Sequence, residues 1–161
     1  MSVGLRPLPV RTALVALLTL ASLFTFAAPV AAAETEAERV VRIASAQAGD
    51  HYSFAATGPD HFDCSGLVWF SFKEAGLRDR IGDNRRTAAG YYRYFNNLGK
   101  ADRLNPRPGD LVVWGKNQHI GVYIGDGMAV SALNERLGVR IHKVSWINMR
   151  VKAYLHVDLE R

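Results

Sequence analysis

The residue pattern of this chain changes character once, at Asp102, and that change limits the fold more than any other feature. Before it, apolar residues recur at helical spacing. Ala37, Val40, Val41, Ala44 and Ala48 form one stripe, opened by Thr35 with Glu36 and Glu38 in its first turn and closed by Gly49. Cys64 to Ala75 reads as a second helix ended by Gly76. Its Leu67, Val68, Trp69, Phe70 and Phe72 cover nearly every side, which predicts burial. Thr87 to Leu98 reads as a third, carrying Tyr91, Tyr92, Tyr94 and Phe95. After Asp102 the period falls to two. Strands are predicted at Asp110–Trp114, His119–Ile124, Met128–Ala132, Val139–Lys143 and Val151–Val157, with Gly125-Asp126-Gly127 as a hairpin signal. Helices first and strands afterwards give an α+β fold, N-terminal helices packed on an antiparallel sheet of about five strands.

Residues 1–33 differ in kind. Arg6 and Arg11 are their only charges; an apolar run from Thr12 to about Ala28 follows, then Pro29 and Ala31-Ala32-Ala33. A basic start, a short apolar centre and an A-x-A end describe a secretory signal peptide, with cleavage expected after Ala33. The apolar run is short for a spanning helix, so no stable membrane insertion is expected once the signal is removed. No Cys near that site suggests a lipid anchor, and no adjacent Arg pair suggests twin-arginine export. The expected organisation is a signal peptide at 1–33 and one domain at 34–161, exported from a bacterial cell to the wall or the medium, and monomeric. The full chain has 20 basic and 15 acidic residues, a formal net charge of +5; losing Arg6 and Arg11 brings it to +3. That mild excess suits an anionic surface. Without a basic cluster interleaved with aromatics, it gives no nucleic-acid footprint.

Cys64 is the only cysteine, so no internal disulfide is possible and an exported thiol needs a reason. It stands at the start of the second helix, flanked by Asp63 and Ser65, where free backbone N–H groups and the helix dipole favour a thiolate. A structural cysteine would fit better mid-helix, among the phenylalanines. A thiol nucleophile needs a base, and the base an orienting group. Of the five histidines, His51 and His61 lie in the preceding loop, and His142 and His156 occupy strand positions that read as outward-facing. His119 begins an otherwise apolar strand beside glycine-rich loops, a good place to hold a base. No carboxylate/His cluster has metal-ligand spacing, and neither a metal nor a cofactor is expected.

Phe62-Asp63-Cys64-Ser65-Gly66-Leu67-Val68, with Thr57-Gly58-Pro59-Asp60 upstream, resembles the nucleophile motif of the NlpC/P60 cysteine peptidases. Pro108-Gly109-Asp110-Leu111-Val112, followed by His119 to Gly127, resembles that family's second motif, in the right order and spacing. Arg86-Thr87 is similar to its intermediate segment and Tyr52 to its loop tyrosine. The resemblance spans about Ala44 to Val157 and implies a papain-like fold acting on bacterial wall peptides. It implies Cys64 as nucleophile and His119 as base, with Tyr52, Asp63, Ser65, Arg86 and Thr87 at the substrate site. The family's third polar residue falls about twelve positions after the base, at Ser131. Strand parity leaves two candidates. A three-residue hairpin loop puts Ser131 on the face of His119; a two-residue Asp126-Gly127 turn puts Asn134 there instead. Family spacing favours Ser131.

The implied function is a secreted cysteine peptidase (a hydrolase) cleaving amide bonds in peptidoglycan stem peptides, at the γ-D-glutamyl–diamino acid bond, with a Cys thiol of depressed pKa. Two alternatives use the same scaffold: a catalytically silent wall-binding domain, and a cell-wall amidase employing the same Cys/His pair.

Overall fold

The structure, a computed structural model, describes Met1, Gly4 and residues 33–161. The expected signal peptide therefore lies outside the described residues but for Met1, Gly4 and Ala33.

Local signals set the helices. Thr35 opens α1 (Glu36–Ala46) with a reciprocal cap: the Glu38 N–H donates to the Thr35 hydroxyl at 3.2 Å, and the Thr35 N–H donates to the Glu38 carboxylate at 2.9 Å. The loop after α1 holds a two-residue strand, β1 (His51–Tyr52), which pairs in parallel with β2 (His61–Phe62). The sequence predicts loop over this stretch, because ladders so short leave no period to read. Helix α2 (Cys64–Glu74) begins at the only cysteine and is capped by Asp63. A 3-10 turn, Arg78–Ile81, leads to α3 (Ala88–Asn97), capped by Thr87.

The C-terminal half forms one six-stranded antiparallel sheet. Its strands are β3 (Ala101–Asp102), β4 (Leu111–Trp114), β5 (His119–Gly125), β6 (Met128–Ala132), β7 (Val139–Lys143) and β8 (Val151–Leu155), in the order β3-β8-β4-β5-β6-β7. Five of these are the predicted strands; β3 adds a short edge. One face, with Leu111, Val113, Ile120, Val122 and Val130, packs on α1 and α2 through Val40, Leu67, Val68 and Phe72. The other face is not open to solvent near β4. There Val112, Trp114, Tyr123, Ala129 and Val144 make a second, smaller core. A further 3-10 turn, Val144–Trp146, crosses this side, and the Trp114 indole donates to the Val144 carbonyl at 3.1 Å.

The second glycine-rich motif is structural at its acidic residue. Asp110 is fully buried and its carboxylate is saturated: it accepts from the Arg107 and Val157 N–H groups and from the Arg161 guanidinium, and lies 3.0 Å from His156 Nδ1. It fastens the C-terminal residues beside the start of β4.

Candidate active site

The start of α2 is built by close backbone approach. Gly66 lies so near the Ala56 carbonyl that any side chain would collide with it, and the same carbonyl accepts from the Asp63 N–H at 3.0 Å. Asp63 accepts from the Gly66 N–H at 2.6 Å and the Ser65 hydroxyl at 2.8 Å through one oxygen. Its other oxygen takes the Arg85 guanidinium at 2.6 Å. Asp63 and Ser65 are thus buried against each other and hold the helix start that presents Cys64, which is itself partly exposed. Backbone N–H groups of Ile120, Ser65 and Cys64 favour the thiolate, so the sulfur lies against the first residues of β5.

On the sheet, His119 Nε2 lies 2.9 Å from Ser131 Oγ. Ser131, not Asn134, is the partner, and the register explains why. The turn is the tight one, with Gly125 opposite Met128 and positive φ at Asp126 and Gly127. A bulge at Ile124 then restores the parity that the tight turn would have inverted. Val122 pairs Val130, and Ser131 becomes the diagonal neighbour of His119. Gly121 permits this approach: a Cβ there would sit 2.7 Å from the Val130 carbonyl and 2.9 Å from Ser131 Cβ. Asn134 instead accepts from the Arg136 and Leu137 N–H groups and shapes the β6–β7 loop.

Behind Ser131 stands a residue that the sequence reading placed outward. His142 is buried, with Nε2 2.8 Å from Ser131 Oγ and Nδ1 3.0 Å from the Lys143 carbonyl. Trp114 and Trp146 lie against its ring, at centroid distances of 5.9 and 5.6 Å. A strand position reads as outward only where its face meets water, and this face is covered by the second core. The unbroken apolar run Leu111–Trp114 was the signal that both faces are covered.

The remaining expected site residues divide. Tyr52 is half-buried near Cys64; burial, then Cys64, Asp63 and Glu135, raise its phenol. Arg86 turns away, donating to the Ile81, Gly82 and Asn84 carbonyls and stacking on Tyr94 at 4.4 Å. Thr87 caps α3 through the Gly90 N–H. Neither joins Cys64; Arg85, which went unremarked as a partner of Asp63, is the one that reaches the α2 start.

The expected depression of the thiol is not found. Burial pushes the Cys64 thiol up and Asp63 adds to it, outweighing the N–H groups. Burial, and then His142, push His119 down to about 4. The pair is therefore neutral in the substrate-free protein, and among the described residues no hydrogen bond joins Cys64 to His119. Such contacts often tighten only when substrate binds. Two hollows flank the site and share Leu133 and Asn134. One, about 250 Å³, has His119 and Trp146 in its wall; the other, about 470 Å³, has Tyr52 and Glu135. Among the described residues no three His, Cys, Asp or Glu side chains group as metal ligands.

The model of the NlpC/P60 family matches residues 49–156. A probable endopeptidase of Corynebacterium glutamicum is 28% identical over 122 residues, covering 75% of this chain and 54% of the relative. A probable endopeptidase of Mycobacterium tuberculosis is 32% identical over 103 residues, 63% of this chain and 25% of the relative. The chain thus spans about half or less of the length of these relatives. Among solved structures, the peptidoglycan hydrolase RipB from Mycobacterium tuberculosis matches with a TM-score of 0.58 at 28% identity, covering 75% of this chain and 64% of that one. NlpC2 from Trichomonas vaginalis matches at 0.62 and 25%, covering 78% and 47%.

Proposed function

The chain belongs to the NlpC/P60 family, and from that premise we propose that it is a cysteine peptidase that hydrolyses amide bonds in peptidoglycan stem peptides. The observation that carries this reading is the His119–Ser131 contact of 2.9 Å on the strand that begins against the Cys64 sulfur. With Nε2 engaged by Ser131, Nδ1 is the nitrogen left to act as base. The Cys64 sulfur attacks the amide carbonyl carbon, and its proton passes to His119 Nδ1. The carbonyl oxygen becomes an oxyanion, met by backbone N–H groups at the α2 start, with the Tyr52 hydroxyl nearby. Collapse breaks the C–N bond, the amine leaves with the proton from His119, and a thioester remains on Cys64. Water, giving a proton to His119, attacks the thioester and frees the acid; the proton returns to the sulfur. A neutral resting pair fits this sequence, because His119 begins as an unprotonated base. Asp63, Ser65 and Arg85 position the nucleophile, and Tyr52 borders the cleft.

The bond we assign is γ-D-glutamyl–diamino acid, and the place of action the bacterial wall after export. Among the described residues no helix is long and apolar enough to cross a membrane. Digestion of purified peptidoglycan with mass-spectrometric product analysis tests both points. New amino termini on the diamino acid are expected. Release of the whole stem from the sugar would identify an amidase instead. If Cys64→Ala protein released fragments at the wild-type rate, neither enzymatic reading could stand, and a wall-binding role would replace them.

A further inference from the structure

The third position of the site holds a serine, whose hydroxyl is ambiguous as an orienting group. It can accept from His119 Nε2–H, leaving Nδ1 bare for the nucleophile. It can equally rotate and donate to Nε2, forcing the proton onto Nδ1 and removing the base. A carboxylate has no such second state, since it only accepts. What the hydroxyl does is decided by its other neighbour, and here that neighbour is His142.

The direction of the whole line follows from its far end. A carbonyl oxygen can only accept, so the 3.0 Å contact with Lys143 puts a proton on His142 Nδ1. In the neutral ring, His142 Nε2 is then an acceptor. Ser131, 2.8 Å away, donates to it. The Ser131 oxygen, its proton committed, accepts from His119 Nε2 at 2.9 Å. His119 is left with its lone pair on Nδ1. We propose that His142 is a positioning residue that acts through Ser131, fixing the tautomer in which His119 serves as base. This rests on the reading of Cys64 and His119 as the reacting pair.

Burial favours this role over simple packing. Ser131 is 0% and His142 5% exposed, so no water competes for the hydroxyl. Trp114 lies against both imidazoles, at 5.4 Å from His119 and 5.9 Å from His142, and holds the rings in register. A box of this kind would take an apolar side chain at lower desolvation cost. A histidine with both ring nitrogens engaged supplies direction that an apolar residue cannot.

The experiment compares wild type with His142→Phe, which keeps a ring but offers no acceptor. It also uses His142→Gln, which keeps an acceptor near the Nε2 position. Nitrogen-15 chemical shifts of labelled histidine report the His119 tautomer; thermal unfolding and peptidoglycan hydrolysis are measured alongside. The expected results are Nε2–H in wild type, an increased Nδ1–H population in His142→Phe, and recovery in His142→Gln. Turnover in His142→Phe should fall about 10- to 100-fold, the scale of a partly misplaced general base, with KM nearly unchanged. A His142→Phe protein that melts earlier but keeps both tautomer and turnover would overturn the proposal, as would Nδ1–H already dominant in wild type. The wild-type tautomer decides the matter even if His142→Phe does not fold. Hydrolysis that persists in Cys64→Ala would defeat the underlying reading without changing the tautomer result, so the two failures are separable.

Discussion

Arg85 places its guanidinium 2.6 Å from the carboxylate of Asp63, the residue immediately before Cys64. The two are 22 positions apart in sequence, so this contact ties the turn ahead of α3 to the start of α2. The Asp63 side chain is 10% exposed and that of Arg85 31%. Removing Arg85 leaves a nearly buried carboxylate short of a partner.

Arg85→Ala is accordingly expected to lower unfolding free energy by about 1–2 kcal/mol, below the figure for a fully buried pair because Arg85 is in part solvated. Hydrolysis should fall further than that loss explains, since the Asp63 cap positions Cys64. Denaturant unfolding and turnover measured on the same preparation check this; unchanged turnover would remove Arg85 from the machinery of the site.

Gly121→Ala should separate β5 from β6 where His119 meets Ser131. The added methyl would meet backbone and Cβ atoms within 3 Å, neither of which can swing aside. Overpacking of this kind costs about 1–3 kcal/mol. The expected signature is a modest drop in melting temperature with a larger loss of turnover. A Gly121→Ala enzyme with wild-type turnover would show that the strand spacing does not control the base.

The pH profile should be displaced towards acid. His119 must be neutral to take the proton, and its value of about 4 lies well below the usual imidazole range. The acid limb of kcat/KM is therefore expected near pH 4, measured with the bond actually cleaved. His119, lowered on folding by burial and His142, contributes stability that is full above about pH 6.5 and lost as pH falls through about 4. His156 acts in the opposite sense. Burial works against its charge, but Asp102 and Asp110 outweigh this and raise it. Its contribution is full below about pH 6.5 and is lost as pH rises through the raised value. Unfolding of His156→Gln and wild type, compared at pH 5.5 and pH 8.5, should show the larger difference at the lower pH.

Cys64 should label slowly. Burial raises the thiol, so iodoacetamide at neutral pH is expected to react more slowly with the substrate-free protein than with a free thiol. The rate should climb only above the ordinary thiol range. Rapid labelling at pH 6 would mean that the resting pair is ionic and that the helix-start N–H groups outweigh burial.

Much of this was legible in the sequence because the signals are local. The caps at Thr35, Asp63 and Thr87 and the alternation through Val151–Val157 each lie within a few residues of what they determine. The helix-start position of Cys64 belongs to that class, since Asp63 immediately before it caps α2. What escaped was set by through-space contact. His142 looked outward because the period of β7 says which residues share a face, not what covers that face. Trp114 and the Val144–Trp146 turn cover it from elsewhere in the chain. Arg86 was expected at the site where Arg85 acts, because adjacent side chains of one type differ only in direction. The thiol was expected to be acidic from its place at a helix start; the degree of burial that reverses this depends on tertiary packing.

The bulge at Ile124 has a consequence for how this hairpin tolerates change. It absorbs one residue between the turn and the chemistry. Deleting Ile124 alone would straighten the strand: Gly125 would still face Met128 and Tyr123 would still face Ala129, so Ser131 would keep its place beside His119. Deleting a paired residue instead, such as Val122, would bring His119 opposite Ala132 and put His119 and Ser131 on opposite faces of the sheet. Length changes in this hairpin are therefore neutral at the bulge and disruptive in the paired ladder, and a lineage can lose one residue at Ile124 without passing through a form in which His119 and Ser131 part.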